Sequence, residues 1–329
     1  MSDYILIVGQ GRSGTNWLLD LLDLSPDTHC RNEPNELENS PLAQFPSPTV
    51  RHSINDSFPS EWDQAVASVS LSMGDRDRIA TRRKSHIYEP VRRFGGGLIL
   101  GKRRVRQFLS PLFPQLGQPE WFVPWWFAHP DALKQALTVL KINMAPAWAD
   151  WVLRNRPDVL VIHIVRHPGG FLNSMSRRYW ADQDITVVKQ NNRERLREIV
   201  KHEPEWAERF GDIDAMSVEE SELWYWRYAS ETIHTAGEGR SNYVQLVYED
   251  LVANPIDVAK HVYEKCHLPW TKDIEAEIAK SASSSTAIAT AWYKKLEPEQ
   301  IELVQRILDS SPLSQWWEEP SPGTAENFS

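Results

Sequence analysis

Short apolar runs alternate with segments of helical periodicity along much of the chain. The first run, Ile5 to Val8, carries no charge and ends at Gly9, which is typical of a strand buried on both faces of a parallel sheet. From Thr15 to Leu22 the apolar side chains recur on one helical face. The pattern therefore predicts a strand, a glycine-rich turn and a helix at the start of the chain.

Later segments repeat this order of elements. Strand-like composition is found in 28–31, 138–143, 158–165 and 243–248. Helical spacing of apolar residues is found in 61–75, 147–155, 255–266 and 298–309, and in most of 181–235. Because buried strands alternate with helices, we expect an α/β fold, with a doubly wound, mainly parallel sheet flanked by helices.

Residues 35–135 interrupt this alternation. Residues 76–106 carry many Arg and Lys, and residues 110–130 mix proline with aromatic residues. The basic run is either a solvated face or a surface for an anionic ligand, and the aromatic segment is either a buried lid or the apolar wall of a pocket. We expect a single domain over 1–319 in which 35–135 forms an insertion or lid, followed by a flexible tail at 320–329.

The composition narrows the class of protein. At 329 residues the chain is long enough for a substantial core, and its net charge of −9 argues against a nucleic-acid-binding surface. Cys30 and Cys266 lie far apart and form no disulfide framework or metal-binding pattern, as expected of reduced thiols in a cytoplasmic protein. No apolar stretch reaches the roughly 18 residues that a membrane helix requires, and the first residues lack the features of a signal peptide. We therefore expect no metal, nucleic-acid or membrane partner.

The turn from Gly9 to Gly14 has the composition of an anion-binding loop, because a helix that follows a buried strand presents unpaired N–H groups and a positive end. Its three glycines fit the dinucleotide fingerprint GxGxxG. However, Arg12 would crowd a pyrophosphate, and the residues before Glu33 make a poor buried strand. The spacing also fits a Walker A loop, but Thr15 occupies the position of the essential lysine.

A third interpretation treats residues 12–18, RSGTNWL, as one unit. This unit resembles the R/K-S-G-T-T/N-W-L loop of the sulfotransferase family, which binds the 5′-phosphosulfate of PAPS (3′-phosphoadenylyl sulfate). Three later segments resemble other parts of the same family and occur in the same order: VRHP at 165–168 with Ser174, VYEDL at 247–251 with Pro255, and Trp292 with Lys294 and Lys295. In the family, the first of these holds the 3′-phosphate and the last closes over the nucleotide.

The resemblance implies a soluble, bacterial-type, PAPS-dependent sulfotransferase with a P-loop-like fold. PAPS has two separate anionic ends. Arg12 and Arg166 each follow a buried strand and precede a helix, as two anion sites on neighbouring strands require. The donor-binding residues that the resemblance implies are Arg12, Ser13, Gly14, Thr15, Asn16, Trp17, Arg166, Ser174, Trp292, Lys294 and Lys295.

The catalytic candidates follow from the charge that develops during transfer. Negative charge grows on the oxygen that bridges to the leaving phosphate, and cations there lower the barrier. Arg12 is the first such cation and Lys141 the second, because KIN at 141–143 resembles the family's K-x-H strand end. Asn143 replaces the histidine that is the base in the cytosolic branch, and an amide cannot remove a proton at neutral pH. Glu33 is the expected base, because the carbohydrate- and tyrosine-sulfating branches of the family place a glutamate just past the strand that corresponds to 28–31. The alternative bases are His29, His86 and Glu89.

We therefore expect an enzyme that moves a sulfuryl group from PAPS to a hydroxyl or amine of a small-molecule acceptor by in-line displacement, leaving PAP and using no metal. Residues 35–135 would lie on the acceptor side. A carbohydrate is the alternative acceptor, and a NAD-binding oxidoreductase or a P-loop kinase is the more distant alternative. The sequence leaves open which acceptor is used, whether oxygen or nitrogen is sulfated, and whether the protein is a homo-oligomer.

Overall fold

A computed structural model of the protein describes residues 3–37, 40–51, 58–74, 110–111, 120–122, 135–178, 180, 183–282 and 291–317. Within these residues, five strands form the larger sheet and two short strands form a second one. The larger sheet contains β1 (Tyr4–Gly9), β2 (Thr28–Asn32), β5 (Leu137–Asn143), β6 (Leu160–Val165) and β7 (Tyr243–Val247). The smaller sheet pairs β3 (Ser72–Gly74) with β4 (Glu120–Phe122).

The larger sheet has the strand order β2-β5-β1-β6-β7, and its neighbouring strands all pair in parallel. β1 is therefore central, and its Gly9 lies level with Asn143 of β5 and Ile164 of β6. Because the chain crosses to both sides of β1, the carboxyl end of this strand is a topological switch point, where open α/β sheets bind ligands. The expected doubly wound, parallel sheet is confirmed.

Helices connect the strands. The described helices are α1 (Thr15–Asp23), α2 (Phe58–Ser70), α3 (Pro146–Asn155), α4 (Pro168–Arg178), α5 (Ile185–His202), α6 (Glu205–Phe210), α7 (Val218–Gly237), α8 (Tyr248–Ala253), α9 (Pro255–Lys265), α10 (Lys272–Ala282) and α11 (Pro298–Asp309). Short 3-10 turns cover Pro34–Glu36, Pro41–Gln44, Ala291–Lys294 and Pro312–Trp316.

Both faces of the larger sheet are covered by helices. Leu6 of β1 belongs to a hydrophobic cluster with Trp148 of α3, whereas the next residue, Ile7, belongs to a cluster with Leu18 of α1 and Val262 of α9. Successive side chains of a strand point to opposite faces, so a strand covered on both sides must be apolar throughout. This burial explains why β1 and β6 are continuous apolar runs in the sequence.

Two local features differ from the sequence-based expectations. The strand expected at 28–31 is confirmed as β2, but it is buried, so the expectation that it would make a poor buried strand was wrong. Its polar side chains have partners: Arg31 donates to the hydroxyl of Ser72 at 2.7 Å, and a ring nitrogen of His29 lies 3.2 Å from the carbonyl of Ser72. Helix α8 begins at Tyr248, a residue that the apolar pattern assigns to the preceding strand.

Several sequence-based predictions concern residues outside the described ranges. These include the basic run at 76–106, most of the aromatic segment at 110–130, and the tail at 320–329. His86 and Glu89, two of the alternative bases, also lie outside the described ranges. The insertion at 35–135 is described only in part, and its role as a lid stays a prediction.

Candidate active site

The carboxyl edge of the larger sheet gathers the residues that the sequence singles out. Across the sheet, the strand ends supply Glu33 after β2, Lys141 and Asn143 in β5, residues 10–14 after β1, Arg166 after β6 and Tyr248 after β7. Parallel neighbours end at the same edge, so residues far apart in sequence meet there. One hydrogen bond across this edge joins side chains that are 162 positions apart in the sequence.

The loop before α1 depends on one glycine. Gly14 caps the helix with a φ of 95°, a left-handed conformation that residues with a Cβ rarely adopt. A Cβ at this position would also lie 2.4 Å from a ring carbon of Tyr248. Arg12, in the same loop, has a φ of 70°. The first N–H groups of a helix have no acceptor within it, so the N-terminus of α1 can bind an anion.

Arg12 and Arg166 are directly joined. Nη1 of Arg166 donates a 3.0 Å hydrogen bond to the backbone oxygen of Arg12, and Nε of Arg12 donates a 3.1 Å hydrogen bond to Oγ of Ser174 on α4. The guanidinium of Arg166 also lies 4.6 Å from the centroid of the Tyr248 ring. These contacts connect two residues that carry permanent positive charges, one after β1 and one after β6.

Both arginines open onto a cavity of about 570 Å³, named here the basic cavity. Its described lining residues are Arg12, Gly14, Thr15, Asn16, Trp17, Arg166, Asn173, Ser174, Arg177, Tyr248 and Lys295. Four of these residues are cationic, and none of the described ones is acidic. Such a surface favours a ligand that carries more than one negative group.

Three residues of the predicted donor set lie near the basic cavity but not on its described wall. Ser13 is fully buried in the loop. The indole of Trp292 stacks on the ring of His167, with centroids 4.4 Å apart, and Lys294 lies 5.7 Å from the centroid of the Tyr293 ring. Of the late segment around Trp292, only Lys295 lines the cavity among the described residues.

Three lining residues were missing from the predicted set: Asn173, Arg177 and Tyr248. Arg177 follows Ser174 by three positions, a spacing that puts two side chains on the same face of a helix. Helical periodicity in α4 could therefore have identified it. Tyr248 belongs to the VYEDL segment, but its contact with Gly14 depends on the β1-β6-β7 strand order, which the sequence does not state.

Glu33 lies in a chain of polar contacts that leads to the loop. Nδ2 of Asn143 donates to Oε1 of Glu33 at 2.6 Å, and Oγ1 of Thr15 donates to Oδ1 of Asn143 at 2.9 Å. Nζ of Lys141, whose side chain is fully buried, lies 3.4 Å from the same Glu33 oxygen and donates to Asn32 at 3.0 Å. Glu33 itself has a φ of 53°. The amide that replaces the family's histidine thus connects the carboxylate to the loop.

A second cavity, of about 600 Å³, lies against these residues and is named here the amide cavity. It shares Arg12, Thr15 and Asn16 with the basic cavity, so the two meet at the loop. Glu33 lines it. Seven of its lining residues carry carboxamide side chains: Gln10, Asn16, Asn35, Asn143, Gln183, Asn191 and Asn192.

A sequence model described as the sulfotransferase family matches residues 4–272, which include every strand of the larger sheet. The chain belongs to this family. Membership favours the sulfotransferase interpretation of the loop at 12–18 over the dinucleotide and Walker A interpretations, and it makes the protein a transferase at the level of the family. None of the curated proteins matches the sequence at a significant level.

Solved structures similar to this sulfotransferase have low sequence identity. A sulfotransferase domain from the curacin biosynthetic pathway is 14% identical, with 96% of this chain and 97% of that chain covered and a TM-score of 0.46. A mouse sulfotransferase complexed with PAP is 11% identical, with 98% and 90% covered and a TM-score of 0.42. A sulfotransferase from Mycobacterium avium is 15% identical, with 94% and 75% covered and a TM-score of 0.41.

The start of α4 in this sulfotransferase is fixed by Glu249. The backbone N–H of His167 lies 3.3 Å from both carboxylate oxygens of Glu249, and Nε1 of Trp317 donates to the same carboxylate at 3.1 Å. Burial raises the pKa of Glu249. Burial, and then the charge of Arg166, lower the pKa of His167 to about 4, so its ring is neutral near pH 7. Arg166 therefore carries the positive charge at this strand end.

Of the two described candidates for the general base, Glu33 lines the amide cavity and His29 does not. His29 lies within β2, where its ring contacts the backbone of Ser72. Among the residues that the structure describes, no cluster of three or more His, Cys, Asp or Glu side chains could hold a metal ion. In the same residues, every helix is too short or too polar to span a bilayer.

Proposed function

We propose that this sulfotransferase transfers a sulfuryl group from PAPS to a hydroxyl or amine of a small-molecule acceptor by in-line displacement and releases PAP. The observation that carries the proposal is the contact between Arg12 and Arg166, which brings two cations from neighbouring strand ends onto one cavity. PAPS has anionic groups at both ends of its adenosine and needs two such cations at once. A ligand with one anionic group would use only one of them.

The donor roles follow from this arrangement. The loop at 12–16 holds the 5′-phosphosulfate, because the N-terminus of α1 and the guanidinium of Arg12 both favour negative charge. Arg166 and Ser174 hold the 3′-phosphate. Trp17, which lines the same cavity, stacks on the adenine. Ser13, Trp292, Lys294 and Lys295 complete the proposed donor set, the first by shaping the loop and the others by closing the site.

The acceptor binds in the amide cavity, with Glu33 as the general base. The two cavities meet at the loop, so a sulfuryl group bound there can reach an acceptor that lies beside Glu33. Glu33 takes the proton from the attacking hydroxyl or amine, and Arg12 stabilises the charge that grows on the oxygen bridging to the leaving phosphate. Lys141 is the second cation proposed to stabilise this charge, and its ammonium group, 3.4 Å from Oε1 of Glu33, also helps to position that carboxylate.

Calorimetric titration tests the donor assignment. We expect the purified protein to bind PAP, and to give no response with NAD or with ATP and Mg²⁺. Transfer of radiolabelled sulfate from PAPS to a mixed acceptor pool should then be detectable in the presence of EDTA. Binding of NAD without binding of PAP would contradict the proposal, and so would transfer that is abolished by EDTA.

Two further assignments belong to the same proposal. Residues 1–319 form one sulfotransferase domain, and the protein acts in the cytoplasm. The location is supported by Cys30 and Cys266, whose thiols are both buried. Cell fractionation tests the location directly. Recovery of this protein from an oxidising compartment outside the cytoplasm would contradict the proposed location.

A further inference from the structure

Polar residues outnumber apolar residues in the lining of the amide cavity. Carboxamide side chains line it from the loop after β1, from the turn after β2 and from helix α5. Apolar lining side chains are fewer: Pro48, Met144, Phe171, Met175 and Val188. Pockets for aromatic or aliphatic ligands usually have the opposite balance, with a small number of polar groups in an apolar wall.

Three of the lining residues each contain a polar atom with unused hydrogen-bonding capacity. Oε1 of Gln10, Oδ1 of Asn35 and Nη1 of Arg195 are buried and have no hydrogen-bond partner among the described residues. Gln10 as a whole is only 3% exposed. Burying a polar atom without a partner is costly, so a ligand that supplies the missing partners would bind with a corresponding gain.

The helical part of this wall is already held in position. The guanidinium of Arg195 lies 4.2 Å from the centroid of the Tyr225 ring, and Asn192 donates a 2.8 Å hydrogen bond to the carboxyl group of Glu222. Arg195, Asn192 and Glu222 all line the cavity. Groups that are fixed before binding lose little freedom when a ligand arrives, so they can discriminate between ligands.

The three unused atoms differ in what they require. The amide oxygens of Gln10 and Asn35 need a hydrogen-bond donor, whereas Arg195 needs an acceptor. An ammonium group only donates and a carboxylate only accepts, so neither satisfies both requirements. A hydroxyl group does both, and several hydroxyls on one molecule can serve the three positions together.

We infer that the acceptor is an uncharged molecule with several hydroxyl groups, recognised through hydrogen bonds to Gln10, Asn35 and Arg195. This inference rests on the proposed function, since it assigns the acceptor end of the same site. It selects oxygen over nitrogen as the sulfated atom. It also makes the amide cavity the element that separates this acceptor from phenols and aliphatic alcohols.

Compounds of one ring size test the inference on the PAP-loaded protein. Saturation-transfer NMR and calorimetry would compare myo-inositol with cyclohexanol, cyclohexylamine and cyclohexanecarboxylate, with glucose and sorbitol as further polyols. We expect at least one polyol to bind about tenfold more tightly than cyclohexanol. Gln10→Met, which removes the amide at nearly constant volume, should raise the Kd of that polyol about tenfold.

A matched variant and a separate titration make the outcomes distinct. Gln190→Met changes the same residue type on the exposed face of α5, where Gln190 bonds to Glu194, and should leave polyol binding unchanged. The inference is wrong if no polyol binds more tightly than cyclohexanol, cyclohexylamine and cyclohexanecarboxylate. It is also wrong if Gln10→Met leaves the Kd of the polyol unchanged. Failure to bind PAP would instead contradict the proposed donor, whatever the polyols do.

Discussion

Arg166 donates a hydrogen bond to the backbone oxygen of Arg12, at 3.0 Å, and so connects the loop after β1 to the end of β6. Arg166→Ala should therefore weaken PAP binding by at least about tenfold, because it removes a charge-assisted contact and a support of the loop. Arg12→Ala should weaken binding by a similar factor. Calorimetric titration with PAP measures both, and if either substitution leaves the Kd unchanged, that arginine does not hold the nucleotide.

The control for both variants is Arg240→Ala. Arg240 is exposed, its Nε donates to the backbone oxygen of Ala236 in α7, and it is not among the described residues that line either cavity. Arg240→Ala removes one positive charge, as the other two variants do, but leaves the lining of both cavities unchanged. PAP affinity should therefore stay within about twofold of the wild type. A comparable loss of affinity in this variant would indicate a long-range effect of net charge, which salt should screen.

Gly14→Ala should destabilise the protein and impair PAP binding. Alanine at this position would have to adopt a φ of 95°, which residues with a Cβ rarely do. Its Cβ would also lie 2.4 Å from a carbon of the Tyr248 ring. Gly239→Ala is a matched control, because Gly239 also has a positive φ, 73°, but no atom lies within 4 Å of the added Cβ. We expect about 1–2 kcal/mol of destabilisation from backbone strain alone in the control, and more in Gly14→Ala.

Urea unfolding of the two variants separates strain from steric conflict. Equal losses in the free energy of unfolding would mean that the Tyr248 ring moves aside at no cost. In that case the packing of Tyr248 on Gly14 would not explain why the loop contains glycine at this position, and only the backbone conformation would.

Much of this architecture could be predicted from the sequence. β1 and β6 could be predicted because both faces of the sheet are covered, which makes these strands continuous apolar runs. The loop could be predicted because it contains Gly14 and Arg12, two residue types that suit an anion-binding site. β2 was harder, because its buried residues include His29 and Arg31, whose partner Ser72 lies about 40 positions further along the chain. Polarity in a strand can be judged only when such partners are known.

The acceptor side of the site was less predictable. Asn192, Arg195 and Glu222 line the amide cavity from α5 and α7, and no motif connects them with Glu33. They come together because helices α5 and α7 pack against each other, which the sequence pattern does not state. Lys141 contacts Asn32 and Glu33, which the sequence pattern did not indicate, and its expected action on the donor stays a prediction. Side-chain direction at a strand end depends on the neighbouring strand, which the sequence pattern leaves open.

Stability should fall as the pH drops below neutrality, because His163 is neutral in the folded protein. Burial lowers the pKa of this histidine from 6.5 to about 3. The unfolded chain therefore binds a proton that the folded chain does not, and the stabilisation that is complete above pH 6.5 is lost as the pH falls towards 3. The free energy of unfolding should decrease by up to about 1.4 kcal/mol per pH unit from this group.

Urea unfolding between pH 6.5 and about 5 measures this slope. His163→Asn should be less stable at pH 7, since it loses the contact with the Tyr243 hydroxyl at 2.9 Å, but its slope should be shallower than that of the wild type. His261→Asn, an exposed position on α9, should keep the wild-type slope. Identical slopes in all three proteins would mean that His163 does not carry the pH dependence.

Glu33→Gln is the sharpest test of the catalytic assignment, because the variant keeps an oxygen that can accept the 2.6 Å hydrogen bond from Asn143 but cannot take a proton. We expect kcat to fall by about 100-fold or more while the Kd of PAP stays within about twofold. Glu238→Gln, an exposed change outside both cavities, should leave both quantities unaltered. If Glu33→Gln retains full turnover, the base lies elsewhere, and Asn143 then links the loop to a carboxylate that only binds the acceptor.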